Sequence, residues 1–274
     1  MRAALLLGAG LLAAAGAAAQ TTAPWQVEVG AGIEHADNGS ADWHQLDLAL
    51  RSRFAPRSVA EISARRVRRY GFDDSEIGLG LALPLGERWS VSASAQASPE
   101  HRVLARLAGR VDVARSFDGG WVLGGGVARS LFDGAGSDPS GSSTLRLLGE
   151  RYVGNWRFAA GLSRTRIDGG GGGAEGGWLL QADRYFGDVG RLGVVAARGR
   201  EPENLPEVGG VVSTRVTTLG LVGTWPLGGA WALTGALVRT LSSDGEVRSG
   251  PRTGDAVGSS YRRDGVRLGL RYDF

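Results

Sequence analysis

Across most of this chain every second residue is apolar, in runs of roughly ten to thirteen residues, and that period of two commits it to β-strands with one greasy face. The stretch from Ser90 to Ser98 is the plainest case. Trp89, Val91, Ala93, Ala95 and Ala97 fall on one face, and Ser90, Ser92, Ser94, Gln96 and Ser98 on the other. A soluble sandwich would use the same alternation, so the pattern alone does not say whether the apolar face meets a core or lipid. With 46 glycines in 274 residues, a helical protein is excluded.

The connections between runs separate the two cases. Strands are predicted near 25–33, 43–54, 58–70, 75–85, 88–98, 102–117, 120–131, 143–153, 155–167, 177–187, 190–199, 212–225, 230–241 and 261–274. That is fourteen, with twelve as the alternative. Linkers after odd-numbered strands are long and polar, as at 132–142, 168–177, 200–211 and 242–260, whereas those after even-numbered strands are tight, as at Ala55-Pro56-Arg57, Gly86-Glu87, Asp118-Gly119 and Gly154. Long loops at one end and short turns at the other are the pattern of an outer-membrane barrel. Aromatics collect at the short-turn end: Phe54, Trp89, Phe117, Trp121, Tyr152, Trp156, Tyr185, Phe186, Trp225, Trp231, Tyr272 and Phe274. A ring of amphipathic side chains at one level is a membrane girdle.

The N-terminus fits export. Arg2 is followed by an uncharged Leu/Ala/Gly run and then Ala17-Ala18-Ala19, which predicts a cleaved signal peptide over 1–19 and a single all-β domain, an antiparallel transmembrane barrel, over 20–274. Without Cys there is neither a lipoprotein anchor, a disulfide nor a thiolate metal site. All 31 basic residues are Arg against 28 acids, and without Arg2 the balance is only +2, which names no nucleic-acid partner. No cofactor is expected. Glu28, Asp47, Arg51, Arg53, Glu61, Arg106, Arg110 and Asp112 fall on the polar face and are the candidate lumen charges, able to line a pore or to cross-link and fill it.

In the last strand Val266, Leu268, Leu270, Tyr272 and Phe274 alternate with Arg267, Gly269, Arg271 and Asp273. Arg267, Gly269, Tyr272 and Phe274 resemble the C-terminal signal read by the barrel assembly machinery, which makes that machinery an expected partner. Glu34-His35-Ala36-Asp37-Asn38-Gly39 with Asp42-Trp43, Ser98 to Leu104, Gly149 to Trp156 and Gly199 to Leu205 resemble the YaiO family of outer-membrane barrels. That resemblance implies a surface-directed barrel in the envelope of a Gram-negative bacterium, with periplasmic termini, sometimes associated with extracellular polysaccharide. It supplies no catalytic residues.

The leading expectation is a non-enzymatic, porin-like barrel that passes or helps to export a small solute or a polysaccharide strand. A lipid A or phospholipid hydrolase working at the rim, with His35, His44 or His101 as base, is the alternative, because such a nucleophile must meet lipid at headgroup height. A structural or adhesive barrel with a sealed lumen is the third. Outer-membrane lipid and lipopolysaccharide are expected partners, and some of Arg65, Arg66, Arg68 and Arg69 suit lipopolysaccharide phosphates. The glycine run Gly169–Gly173 lacks the Lys-Ser/Thr of a phosphate loop and reads as a surface loop. Asp37-Asn38-Gly39 reads as a turn rather than a calcium loop, and the acids Glu201, Glu203 and Glu207 as a solvated run or a weak divalent-ion site.

Overall fold

The computed structural model describes residues 23–133, 140–168, 174–205, 210–247, 256–257 and 260–274. The signal segment 1–19, the glycine run 169–173 and Glu207 lie outside them. Fourteen long strands form one antiparallel sheet that closes on itself: β1 (Trp25–Ala36), β2 (Trp43–Ala55), β3 (Ser58–Arg69), β4 (Phe72–Leu85), β5 (Trp89–Ala97), β6 (Leu107–Phe117), β7 (Trp121–Phe132), β8 (Ser140–Val153), β9 (Trp156–Ile167), β10 (Ala174–Phe186), β11 (Gly190–Leu205), β12 (Gly210–Gly228), β13 (Trp231–Val247) and β15 (Tyr261–Asp273). The two-residue β14 (Ala256–Val257) only extends the end of β13. Each strand pairs with its sequence neighbour, and β15 closes the ring on β1 from Gln26↔Asp273 to Ala36↔Arg263. Trp25 and Phe274 exchange both backbone hydrogen bonds at 2.9 Å, fastening the seam at the short-turn rim.

Alternation decides the faces. In β15 Val266, Leu268 and Leu270 are exposed on the outside while Arg263, Arg267 and Arg271 turn inward. Among the described residues the most exposed large apolar side chains include Leu79, Leu147 and Leu162, at 59–64%. Large apolar side chains exposed on strand after strand, such as Val29, Ile62, Leu79, Leu147 and Leu162, would be a severe liability in water and are the expected surface in hydrocarbon. The shortest long strand has nine residues, enough to cross when tilted, and β12 has nineteen, so β11 to β13 project well past the apolar belt.

Four details depart from the sequence reading. Much of the expected linker 200–211 and the start of 242–260 are strand, because β11 runs on to Leu205, β12 begins at Gly210 and β13 reaches Val247. The hairpin from β3 to β4 turns on Tyr70-Gly71 alone, both at positive φ, so one connection at the long-loop end is tight. Tyr152 and Tyr185 leave the aromatic rim and point into the barrel, where Tyr152 donates to Glu150. The sixth strand begins at Leu107 rather than near 102, because 98–106 folds inward instead of continuing the ladder.

Leu79 and Ser94 test the assignment of faces. Leu79→Arg puts a charge against lipid and is expected to cost about 2–4 kcal/mol in urea unfolding from vesicles, whereas Ser94→Arg, on the lumen wall, costs clearly less.

Candidate functional site: a charged lumen with a covered mouth

The inward faces carry three tiers of paired charge. Near the short turns, buried Arg157 on β9 donates to Glu150 at 2.5 Å and to Asp183 at 2.7 Å, and Gln181 donates to the same Asp183. Gly193 makes room for that aspartate, since a Cβ there would collide with its carboxylate. On the opposite wall Arg51 donates to Glu61 (2.5 Å), Gln26 (2.8 Å) and Glu28 (3.3 Å). Midway, Asp112 joins Arg110 and Arg146, with Gly126 giving it space in the same way, and Arg267 joins Asp47 (2.9 Å) and Glu28 (3.4 Å). Ion pairs of this kind hold in a low-dielectric wall where carboxylates such as Asp183, Glu28 and Asp112 each accept from more than one donor.

Six of the eight candidate lumen charges, Glu28, Asp47, Arg51, Glu61, Arg110 and Asp112, are members of these tiers. Arg53 faces inward near the short turns. Arg106 lies ahead of β6 at the long-loop end, half exposed and 3.4 Å from Asp133. Of the assembly-signal residues, Arg267 and Gly269 face the lumen, and Tyr272 packs outward against Trp231 and Phe274.

The third tier covers the mouth at the long-loop end. Asp74 on β4, 1% exposed, accepts the backbone N–H groups of Arg102 (3.1 Å), Val103 (2.8 Å) and Leu104 (2.8 Å), which draws the loop 98–106 across the opening. Val103 and Leu104 then pack on Val67, Tyr70 and Phe72, and Ala105 packs on Phe132, Ile167 and Val211. These partners come from β3, β4, β7, β9 and β12, so a small apolar core sits inside the mouth. The tip of β11 completes it from the far side. Glu203 accepts from Arg69 and from the Tyr70 hydroxyl, each at 3.0 Å, and Asn204 donates to the His101 carbonyl. Five strands lie between β3 and β11 on the shorter way round. Burial and then the Glu203 charge push the Tyr70 hydroxyl far up, so it remains a donor. Glu201 receives Arg263, whose guanidinium lies 4.0 Å over the buried Trp43 ring.

Several of these roles were not evident in the sequence. Glu201 and Glu203 read there as a solvated run or an ion site, yet they are held by arginines more than sixty residues away. Trp43 and Asp74 carried no local signal beyond Trp43 falling on the polar phase of β2. No group of three metal-binding side chains occurs among the described residues. The arginine run splits: Arg65 and Arg69 turn inward to Glu76 and Glu203, and Arg66 and Arg68 turn outward. The three histidines stay apart. His35 meets Asp42 at 2.7 Å on the exposed rim and His44 faces outward. His101 has Asp133 at 2.7 Å and the Ser98 carbonyl at 3.2 Å, but the Ser98 hydroxyl accepts the His101 backbone N–H and does not meet the ring.

No protein-family model matches the chain, and no curated protein matches it in sequence. Solved structures do match its fold. The monoaromatic hydrocarbon channel CymD is similar with a TM-score of 0.58 at 11% identity, over 97% of this chain and 92% of that one. A bacterial polysaccharide outer membrane secretin is similar with a TM-score of 0.52 at 9% identity, over 93% and 99%. Fold, closure and lipid-facing belt together define an integral outer-membrane β-barrel.

Arg157 tests the first tier. Arg157→Ala leaves Glu150 and Asp183 buried without their cation and is expected to lower stability by about 3–5 kcal/mol, while removing all three charges together costs less.

Proposed function

We propose that this barrel is a gated, non-enzymatic passage of the outer membrane, with the long-loop end at the cell surface and both termini periplasmic. Its cargo is a small polar solute or a polysaccharide strand. The observation that carries this reading is the contrast between the middle of the lumen and its mouth. Arg51, Arg146 and Arg267 keep 18–35% of their side-chain surface open inside the barrel, while the mouth is held by Asp74 and by the Arg69–Tyr70–Glu203 bridge. The cover packs only a few apolar side chains and is fastened by hydrogen bonds to Asp74 and Glu203, so it can open as a unit without breaking the ladder of the wall. Mixed Arg, Asp and Glu side chains would then set selectivity.

The resemblance to the YaiO family agrees with this reading and supports export of surface polysaccharide as one form of it. A cleaved signal and assembly through Arg267, Gly269, Tyr272 and Phe274 complete the proposal. One observation favours a second reading, a structural barrel with a sealed lumen: Arg157 and Asp183 are fully buried, so part of the cross-section is filled.

Liposome swelling with neutral sugars of graded size distinguishes the two. The native barrel should admit small sugars slowly, and Asp74→Ala combined with Glu203→Gln should speed entry severalfold. A folded double variant as silent as the native barrel would overturn the passage in favour of the sealed form. Orientation is read separately in intact cells, where an impermeant maleimide should label Asn38→Cys but not Asn155→Cys, in a chain with no cysteine of its own.

A further inference from the structure

The outward arginines are treated differently at the two rims. At the short-turn end three on the strands are stacked on aromatic rings: Arg115 on Trp89 and Phe117, Arg151 on Trp121, Arg184 on Trp156. At the other end, on β7 to β11, Arg129, Arg164, Arg166 and Arg198 form a patch of a different kind. Arg129 lies opposite Ser143 on β8, and Ser143 lies opposite Arg166 on β9. Arg164 is one outward position below, and Trp178 stands between Leu162 and Arg198. Arg129 is paired with Asp168 and Ser143. Arg164, Arg166 and Arg198 have no hydrogen-bond, ion-pair or ring partner among the described residues, although all three are exposed. Arg164 and Arg166 are successive outward positions on β9 and repel one another, while Arg198 stands two strands over and one row lower, beyond Trp178; the apolar belt below weakens the hydration of all three.

Lower on the same face runs a shallow, mainly apolar groove that continues round the barrel from Trp121 on β7 to Ile33 and His35 on β1, about 1380 Å³ over that whole length, with Arg151, Arg239 and Asp264 also along it. Its two banks are successive rows of outward side chains in register, one through Phe158, Ala182, Val194 and Leu221, the other through Ala160, Leu180, Ala196 and Leu219. Alanines at alternate places on the banks deepen it. The second bank is the row immediately below Leu162, Trp178 and Arg198, so the groove adjoins Arg198, and Arg164 and Arg166 stand one and two outward rows higher on β9.

We propose that this face is a binding site for a phosphorylated, multiply acylated glycolipid of the outer leaflet, of the lipid A class. Its acyl chains lie in the groove, and its phosphates are held by Arg164, Arg166 and Arg198 with Arg129 at the edge. A guanidinium fork fits a phosphate in two-point fashion, and the indole of Trp178 belongs at headgroup level. Five strands spaced about 4.8 Å apart make the patch roughly 20 Å wide, too broad for one phosphodiester and suited to a headgroup with two anionic groups. The placement in the outer leaflet rests on the orientation proposed above; the binding itself does not.

The test is native mass spectrometry of the refolded, detergent-solubilised barrel with purified lipids, its folding checked by heat-modifiable gel mobility. Bisphosphorylated lipid A should be retained, and the triple variant Arg164→Gln/Arg166→Gln/Arg198→Gln should bind it at least about thirtyfold more weakly. The control Arg66→Gln/Arg68→Gln, on the far wall, should bind as the native barrel does. If the triple variant fails the gel check, the three single variants replace it, each with a loss of about threefold. Equal retention of dephosphorylated lipid A or of phosphatidylglycerol, competition by millimolar inorganic phosphate, or equal loss in the control would each overturn the proposal. Because the lipids are added to both faces, a negative result here is distinct from a wrong orientation or a sealed lumen.

Discussion

In hydrocarbon no water is present to satisfy a backbone N–H or C=O, and everything else in this molecule follows from that. A strand can cross lipid only if both edges are paired, so the sheet must return on itself, and the β1–β15 seam is where it does. The seam is continuous from Gln26 to Ala36. Closure then makes the outside uniform, which is why large apolar side chains such as Val29, Ile62 and Leu79 can stand exposed along the wall without a partner.

Closure also creates an inside, and the chain fills it with charge rather than with apolar bulk. Inward arginines outreach the radius of the wall and find acids on neighbouring or facing strands, as Arg157 does with Glu150 and Asp183. Small residues opposite the acids, Gly126 and Gly193, are part of the same arrangement. At the long-loop end this chemistry changes use: the carboxylate of Asp74 gathers backbone N–H groups and so holds a loop across the opening. The same side-chain types therefore stiffen the wall at one level and fasten a cover at another.

The barrel itself was legible in the sequence because its determinants are local. Period-two alternation, turn length and the level of the aromatics need no knowledge of distant partners, and fourteen strands follow from them. What escaped was set by contacts across the lumen. Nothing near Glu203 announces Arg69. Tyr152 and Tyr185 are a different case: the local alternation along β8 and β10 turns them inward, against the girdle role that their place beside the turns suggests. The segment 98–106 shows the limit most clearly, since its apolar Val103 and Leu104 extend a strand pattern that Asp74, two strands back on β4, diverts into the mouth.

Amide hydrogen exchange along β1 and β15, measured in lipid nanodiscs, tests the closed barrel most directly. The seam should be as slow to exchange as the β8–β9 hairpin, with protection from Gly30 through Gly32 lasting hours or longer. Exchange of those amides within seconds, with β8 and β9 still protected, would mean an open sheet and would contradict the account.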